Sequence, residues 1–450
     1  MERLTLQAFI RQQWIDIADI IFPEAEEGNY SITEIHYKQT HAVENLFLDD
    51  NLAASINYPV ELYFEDDAPP SWLKFLDDIV PAGASQRYWI KHLDISDLPE
   101  PMQNFMLLKF GTIAPIGHLR IKEALEDLEG EGSRRLFSVQ DVANRDTDFL
   151  EYAAERGAIA GGATGAGGEA PKFLLTQSQN NQLWIDSYQN DFSIDNQYYL
   201  IKFPRNKREQ IDCDVLRAEF HYYHELKALG FNTIDTEQMQ LVEGERYPSL
   251  WLPRFDIKFD VNGLPIKPAI ESVYSIIKSS PGATIYHINT IEKLIRKIEQ
   301  SHMVRELGFN FDIEEFIVEW VRRDLLNIAF GNSDNHGRNT SFMRLSGEIA
   351  LAPIYDFAPM KADPEQVIRT TKWEQPLESG GEFNFPAICE ALNHYIEPEH
   401  LLNELKHTAS KLVGLESRLR NRGVPESIIC FPSIGLNFLE DKFKKWGLYE

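Results

Sequence analysis

Cysteine is scarce in this chain, and long apolar runs are absent. The 450 residues contain three cysteines, Cys213, Cys389 and Cys430, which lie far apart and lack metal-ligand spacing. They indicate neither a disulfide framework nor a zinc site, and they are typical of a reducing compartment. No segment approaches the roughly 18 to 20 uninterrupted apolar residues of a membrane span. The N-terminus, MERLTLQAFIRQQW, lacks the features of a signal peptide, so we expect a cytoplasmic protein.

Basic residues are also few in comparison with acidic residues. The chain has 44 Lys and Arg residues against 70 Asp and Glu, which gives a formal net charge of -26. Nucleic-acid binding depends on Lys and Arg that neutralise phosphates, so direct DNA binding by this chain alone is not expected. The chain is longer than a single hydrophobic core usually supports, which predicts two or three packed units.

A glycine-rich segment divides the sequence. Residues 157 to 168, GAIAGGATGAGG, contain six glycines in twelve positions. Strand-like runs follow (KFLLTQ, LWIDSYQ and YYLIKF), and then a helical pattern that ends at Gly230. This order predicts a glycine-rich loop that leads into an antiparallel sheet. From about residue 265 the pattern is mainly helical, and the apolar spacing in FDIEEFIVEWVRRDLLNIAF predicts one buried helix.

The turn after that helix, GNSDNHGRNTSFM, concentrates polar side chains that can bind a proton or a metal. Asp334 and Asn339 lie five positions apart, and Asp356 follows a predicted hairpin. Phosphoryl transfer needs a carboxylate near the attacking hydroxyl and an Asn and a second Asp that hold Mg²⁺. Alone, this spacing is more often an ordinary polar loop, so its meaning depends on other residues.

Two other metal sites fit this turn poorly. A calcium loop would need a bidentate glutamate at its twelfth position, which is occupied by Met343. His336 has no second histidine at helical spacing and no nearby cysteine, as zinc would require. We therefore interpret His336 as a residue that organises the loop.

A lysine within an apolar strand supports the phosphoryl-transfer interpretation. Lys202 lies in YYLIKF, downstream of the glycine-rich segment, and Glu219 lies in the next helix. In kinases such a lysine neutralises nucleotide phosphates and is held by a helix glutamate. The alternatives without a catalytic role are that Lys202 is a surface residue of the strand and that Glu219 lies on a solvated face of the helix.

These segments together resemble the HipA-type serine/threonine kinases of bacterial toxin-antitoxin systems. The matching segments are GNSDNHGRNTSF, LAPIYDF, YLIKFP, RAEFHYYHELKALGF and LPRFD, with FLDDIVPAGASQR and LLKFGTIAPIGHLRI in the N-terminal region. The resemblance implies an α+β, bilobal protein-kinase-like fold. It implies an N-terminal subdomain over 1–150, an N-lobe with the glycine-rich loop and lysine strand over 151–260, and a helical C-lobe over 261–450.

Carried over to this sequence, the resemblance implies ATP and Mg²⁺ as cofactors. Asp334 would be the catalytic base, Asn339 and Asp356 the metal ligands, and Lys202, held by Glu219, the residue on the ATP phosphates. The other residues implied at the nucleotide are Thr164, Gly165, Ala166, Gly167 and Gly168 in the phosphate-binding loop, Pro253, Arg254 and Phe255 beside the adenine, and His336. Thr164 falls where family members carry an autophosphorylated serine.

The resemblance also implies partners. The expected substrate is a cytoplasmic protein, an aminoacyl-tRNA synthetase in the family's pattern, whose phosphorylation inhibits translation and growth. A helix-turn-helix antitoxin would supply DNA binding. Two alternatives stay open, a small-molecule kinase with the same Asp-to-Asn spacing and a nucleotide-binding scaffold without turnover.

Overall fold

A computed structural model describes residues 1–62, 71–126, 135–155, 172–345 and 347–449. Helices and sheets are both abundant in these ranges, which confirms the predicted α+β class. No helix in the described ranges is long and apolar enough to cross a membrane. The predicted limits of the three units stay predictions.

The N-terminal region is a four-stranded antiparallel sheet packed against helices. Its strands have the order β3-β2-β1-β4. Apolar side chains of this sheet and of the helices around it form one buried cluster that runs from Leu4 to Ala124. The elements are β1 Glu2–Ile10, β2 Gln13–Phe22, β3 Glu34–Tyr37, α1 Gln39–Glu44, α2 Leu76–Ile79, α3 Ala84–His92, α4 Glu100–Gly111, β4 Leu119–Ile121, α5 Val139–Asn144 and α6 Thr147–Glu155.

The predicted antiparallel sheet follows in the chain and has five strands in the order β6-β5-β7-β9-β8. Its elements are β5 Phe173–Gln177, β6 Leu183–Trp184, β7 Gln197–Lys202, α7 Gln210–Ala228, β8 Gln240–Glu243 and β9 Pro248–Pro253. Helix α7 is the helix that was expected to end at Gly230, whose φ of +83° is the left-handed conformation typical of a helix C-terminus.

Alternation along β7 places Lys202 toward α7. Tyr199 and Ile201 pack on one face of the sheet together with residues of α5 and α6. Leu200 packs on the opposite face with residues of α7. Because successive strand side chains point to opposite faces, Lys202 shares the α7 face with Leu200.

The C-terminal region is mainly helical, as the sequence predicted. Its elements are β10 Lys258–Phe259, β11 Pro265–Ile266, β12 Ala269–Ser272, α8 Val273–Ile276, β13 Ile285–Tyr286, α9 His287–Glu299, α10 His302–Arg305, α11 Ile313–Phe330, β14 Ser341–Leu345, β15 Glu348–Leu351, β16 Thr371–Lys372, β17 Glu378–Ser379, β18 Glu382–Phe383, α12 Phe385–Ala391, α13 Pro398–Leu412, α14 Leu415–Arg422, α15 Glu426–Ile429 and α16 Leu439–Lys445. Short 3-10 helices cover Ala25–Tyr30, Lys122–Leu125, Met360–Ala362 and Leu436–Phe438. Strands β14 and β15 form the predicted hairpin, and β12 pairs with the outer edge of β14.

Helix α11 leads directly into the polar turn that contains Asp334. Asp312 caps its start by accepting a hydrogen bond from the Glu315 N–H at 2.9 Å. Gly331 ends it with φ of +71°, and a Cβ atom there would lie 2.8 Å from Cγ1 of Ile434. A side chain at this position would be strained, so glycine favours the path that the chain takes from the helix toward Asp334.

We predict that Gly331→Ala destabilises the protein more than Gly230→Ala does. Both glycines end a helix with positive φ, but a Cβ at Gly230 meets nothing within 4 Å. The left-handed backbone should cost about 1 kcal/mol in each variant, whereas the contact with Ile434 should add about 1–3 kcal/mol at Gly331 alone. Urea unfolding midpoints measure the difference. Equal losses would show that Ile434 yields to the new methyl group.

Candidate active site

Lys202 lies at the centre of a buried charge cluster. Its Nζ donates a hydrogen bond to Oε1 of Glu219 at 2.6 Å and another to Oδ1 of Asp356. Burial disfavours the charged ammonium, but Asp356 and Glu219 outweigh it and hold the pKa of Lys202 above its ordinary value. The structure therefore brings together a strand lysine, a helix glutamate and the aspartate that follows the hairpin.

A second lysine reaches Asp356 from the other side. Lys172, which precedes β5, has its Nζ 3.4 Å from Oδ2 of Asp356. Burial would raise the pKa of Asp356, but Lys172 and Lys202 reverse the effect and hold that pKa well below its ordinary value. Asp356 is therefore an anion throughout the physiological pH range.

The backbone at Asp356 adopts an uncommon conformation, with φ of +52°. Such values cost energy in residues other than glycine and concentrate at functional sites. Tyr223 holds the segment, since its hydroxyl donates to Oε1 of Glu219 at 3.2 Å and accepts from the Phe357 N–H at 3.1 Å. Helix α7 thus fixes both the glutamate and the chain beside Asp356.

Asp334 faces the same space from the polar turn. Its N–H donates to Oδ1 of Asn332 at 3.2 Å, and its carboxylate Oδ1 lies 3.5 Å from Nε2 of His336. Burial raises the pKa of Asp334, and His336 opposes that shift only in part. A carboxylate with a raised pKa is better matched to accept a proton near neutral pH.

His336 organises this turn. Its Nδ1 accepts a hydrogen bond from the Arg338 N–H at 3.2 Å, and its ring stacks on Tyr274 with centroids 6.3 Å apart. Burial lowers its pKa, so the ring is neutral at physiological pH. His336 does not line the cleft that contains Asp334, but lines a separate cavity of about 320 Å³ behind it.

Asn339 and Asp356 carry oxygen atoms of the kind that a divalent cation binds. Asn339 Nδ2 donates to the carbonyl of Asp334 at 2.7 Å, while its Oδ1 is buried and lacks a hydrogen-bond partner. Among the described residues, no three His, Cys, Asp or Glu side chains form a group that could hold a metal alone. Mg²⁺ needs only one or two protein oxygen ligands when phosphates supply the others, so Asn339 and Asp356 fit it.

The cleft at these residues has a volume of about 600 Å³. Its charged lining comes from two regions of the chain. The C-terminal region contributes Asp334, Asp356 and Asp363, and the region of the five-stranded sheet contributes Lys172, Lys202, Arg205, Asp212 and Glu219. Thr164, Gly165, Ala166, Gly167 and Gly168, which were predicted to cover nucleotide phosphates, lie outside the described residues.

An apolar cavity of about 390 Å³ adjoins the cleft and shares Lys202 and Asp356 with it. Pro253, Arg254 and Phe255 line it, as do Ile116, Leu200, Ile234, Leu252, Asp256 and Tyr355. The Phe255 ring stacks on Tyr355 at 5.5 Å. The Arg254 guanidinium donates to both carboxylate oxygens of Asp256, at 2.8 and 2.6 Å, so its charge is already used within the protein.

Several residues of the site were not predicted from the sequence. Lys172 carries a weak signal, a lysine directly between the glycine-rich segment and a buried strand. Arg205 and Asp363 carry none, because their pairing joins segments far apart in sequence, with 3.6 Å between Nε and Oδ2.

The N-terminal region also contacts the site. Arg338 Nη2 donates to the carbonyl of Asp77 at 2.6 Å, and the Ser272 N–H donates to Oδ2 of Asp78 at 2.8 Å. The N–H of Gly117, next to Ile116 of the apolar cavity, donates to Asp256 at 3.0 Å. This region therefore supports both the turn that contains Asp334 and the wall of the apolar cavity.

We predict that the protein loses stability at acidic pH and that Asp356→Asn makes this loss smaller. The folded-state pKa of Asp356 is depressed, so its stabilising contribution is complete above the unfolded-state pKa of about 3.9 and is lost as the pH falls below it. Between pH 6 and pH 3 the wild-type protein should lose about 1 kcal/mol more stability than Asp356→Asn.

Urea midpoints along the pH series measure this loss, with the exposed Asp97→Asn as the matched control. If Asp356→Asn and Asp97→Asn have the same pH dependence as the wild type, the lysines do not depress the pKa of Asp356.

Comparison with known proteins identifies the family of this chain. A model of the HipA-like C-terminal domain matches residues 164–413, more than half of the 450 residues. Toxin YjjJ of Escherichia coli (strain K12) is 29% identical over 248 residues, which are 53% of this chain and 48% of that protein. The chain thus spans about half the length of this relative.

A solved structure shares the fold. A chain in the complex of Shewanella oneidensis MR-1 HipA, HipB and operator DNA superposes with a TM-score of 0.61 and 14% identity, over 99% of this chain and 97% of that one. The Helicobacter pylori proinflammatory kinase CtkA gives a TM-score of 0.37 and 13% identity over 63% and 91%, which is too remote to support an argument. The resemblance found in the sequence motifs is confirmed, and the chain belongs to the family defined by the HipA-like C-terminal domain.

Proposed function

We propose that this protein is an ATP- and Mg²⁺-dependent serine/threonine protein kinase that acts as a toxin of the HipA type. One observation carries the proposal: Lys202, Glu219 and Asp356 form one buried ion cluster, and Asp334 faces the same cleft. Phosphoryl transfer requires cations on the phosphates, an anion for the metal and a carboxylate near the attacking hydroxyl.

Each residue has a defined part in the proposed reaction. Lys202 and Lys172 bind the nucleotide phosphates, and Glu219 keeps Lys202 in place. Asp334 orients the acceptor hydroxyl and takes its proton, a part that the raised pKa of Asp334 supports. The apolar cavity beside Phe255 receives the adenine.

Magnesium would be held by Asp356 and Asn339. When bound, it supplies positive charge that screens the phosphates from the cleft's carboxylates. The two lysines beside Asp356 support a cation site at this carboxylate, and the Oδ1 of Asn339, which has no partner among the described residues, offers a second oxygen.

The partners are proposed from the relatives. The structural neighbour was solved with HipB and operator DNA, and we propose that this chain likewise pairs with an antitoxin that binds DNA. Its net charge of -26 makes a DNA-binding partner necessary if the assembly is to reach DNA. We propose a cytoplasmic protein substrate, an aminoacyl-tRNA synthetase by the family resemblance.

Autophosphorylation at Thr164 belongs to the same proposal and depends on the sequence resemblance alone. A phosphate there would bring about -1.5 to -2 charges to a loop that cradles ATP phosphates. Repulsion would expel the loop and inactivate the kinase.

We predict that Asp334→Asn lowers phosphate transfer by about 10²–10⁴-fold, because the general base is lost. Its affinity for ATP should stay close to that of the wild type. Asp356→Asn should lose transfer and also Mg²⁺-dependent ATP binding, since a metal ligand is removed. Radiolabelled ATP incubated with the protein and a cell lysate measures transfer, and mass spectrometry locates the labelled residues, Thr164 among them.

The exposed Asp97→Asn, which makes the same chemical change away from the cleft, should retain full transfer. Wild-type transfer in a folded Asp334→Asn protein would refute the assigned base. Label found only on metabolites would instead indicate a small-molecule kinase.

A further inference from the structure

Arg145 is a half-buried cation that has no acidic partner among the residues that the structure describes. It directly follows α5 in a left-handed backbone conformation with φ of +56°. Its guanidinium lies 5.1 Å from the centre of the Phe203 ring. The Nε and Nη1 atoms are buried and have no hydrogen-bond acceptor, a state that is costly for charged donors.

Arg208 adds a second positive charge at the same place. It also has a left-handed backbone, with φ of +59°, and its guanidinium lies 5.7 Å from the centre of the Tyr247 ring. Burial and then the charge of Arg208 lower the pKa of Arg145 to about 10. Geometry links the two arginines as well, because the turn that contains Tyr247 binds the neighbour of Arg145: the Glu245 N–H donates to Oδ1 of Asn144 at 2.9 Å.

This arrangement differs from that of three other arginines in the protein interior, each of which pairs with a carboxylate. Arg254 pairs with Asp256, Arg323 with Glu319 and Arg344 with Glu271. Within the ranges that the structure describes, neither Arg145 nor Arg208 has an ion pair with a carboxylate. The chain has 70 acidic residues, yet none of those described pairs with either of these two neighbouring arginines. A bound anion would reduce the repulsion between their positive charges.

We propose that Arg145 and Arg208 form a binding site for a phosphate monoester, separate from the nucleotide cleft. Guanidinium groups match the geometry of phosphate oxygens, and a phosphate monoester carries about -1.5 to -2 charges, which balances two arginines where a carboxylate would balance one. The Phe203 and Tyr247 rings are cation–π partners of the two guanidiniums and supply no negative charge to balance them.

The site adjoins the cleft but is not part of it. Phe203 lines the cleft, whereas Arg145, Arg208 and Tyr247 do not. The proposal does not depend on kinase activity, because it requires only that a phosphate group binds. The phosphate could be free or carried by a phosphorylated protein segment, and the test separates these sources.

The experiment is a titration of the full chain with inorganic phosphate, followed by its melting temperature, since a ligand that binds the folded state raises it. We expect Arg208→Gln and Arg145→Lys each to weaken the response by about tenfold or more, because one loses a charge and the other the planar fork. The exposed neighbour Arg246→Gln removes the same charge and should respond like the wild type.

Lys202→Met distinguishes this site from the cleft, and it should keep the phosphate response. The proposal is overturned if phosphate gives no response, if both arginine variants respond like the wild type, or if only Lys202→Met loses the response. Arg208 is partly exposed, so Arg208→Gln keeps the test valid even if Arg145→Lys does not fold.

A phosphothreonine peptide and its unphosphorylated form identify the source by calorimetry. Binding of the phosphopeptide that is tighter than that of inorganic phosphate, and lost in Arg208→Gln, supports a protein-borne phosphate. Arginine-dependent binding of inorganic phosphate alone supports a free ligand.

Discussion

The buried ammonium of Lys202, shared between Glu219 and Asp356, is the interaction on which the rest of the site depends. It joins a strand, a helix and the segment after the hairpin, and Lys202 is only 8% exposed. Removal of one member of such a cluster typically costs about 3–5 kcal/mol, because an uncompensated charge stays buried. The cluster therefore fixes how the five-stranded sheet meets the helical region, and it keeps cations where phosphates can replace carboxylates as their partners.

Two aspartates in one cleft acquire opposite properties from their surroundings. Lysines hold the pKa of Asp356 below its ordinary value, whereas burial raises that of Asp334. Such a separation assigns an anion for cation binding and a base for proton transfer within one space. The N-terminal region contributes through Arg338, which ties the turn around Asp334 to Asp77. The activity that we propose thus depends on residues from all parts of the chain.

Local rules predicted much of this arrangement. The apolar run YYLIKF predicted the strand that contains Lys202, and helical spacing predicted the buried stripe of α11, with the polar turn after it. The sequence did not reveal Lys172, Arg205 or the pair of Arg145 and Arg208, since their partners are set by tertiary contacts over long sequence separations. The approach of Asp356 to Lys202 was expected only from the order of motifs. The roles assigned to the glycine-rich loop, Thr164 included, stay predictions.

A crystal structure with a non-hydrolysable ATP analogue and Mg²⁺ tests the central claim most directly. We predict the triphosphate on Lys202, its terminal phosphate facing Asp334, the cation bound by Asp356 and Asn339, and the adenine beside Phe255. The lysine contacts of Asp356 should lengthen as the cation takes its oxygens. A nucleotide bound elsewhere, or a cation that touches neither Asp356 nor Asn339, would contradict the account.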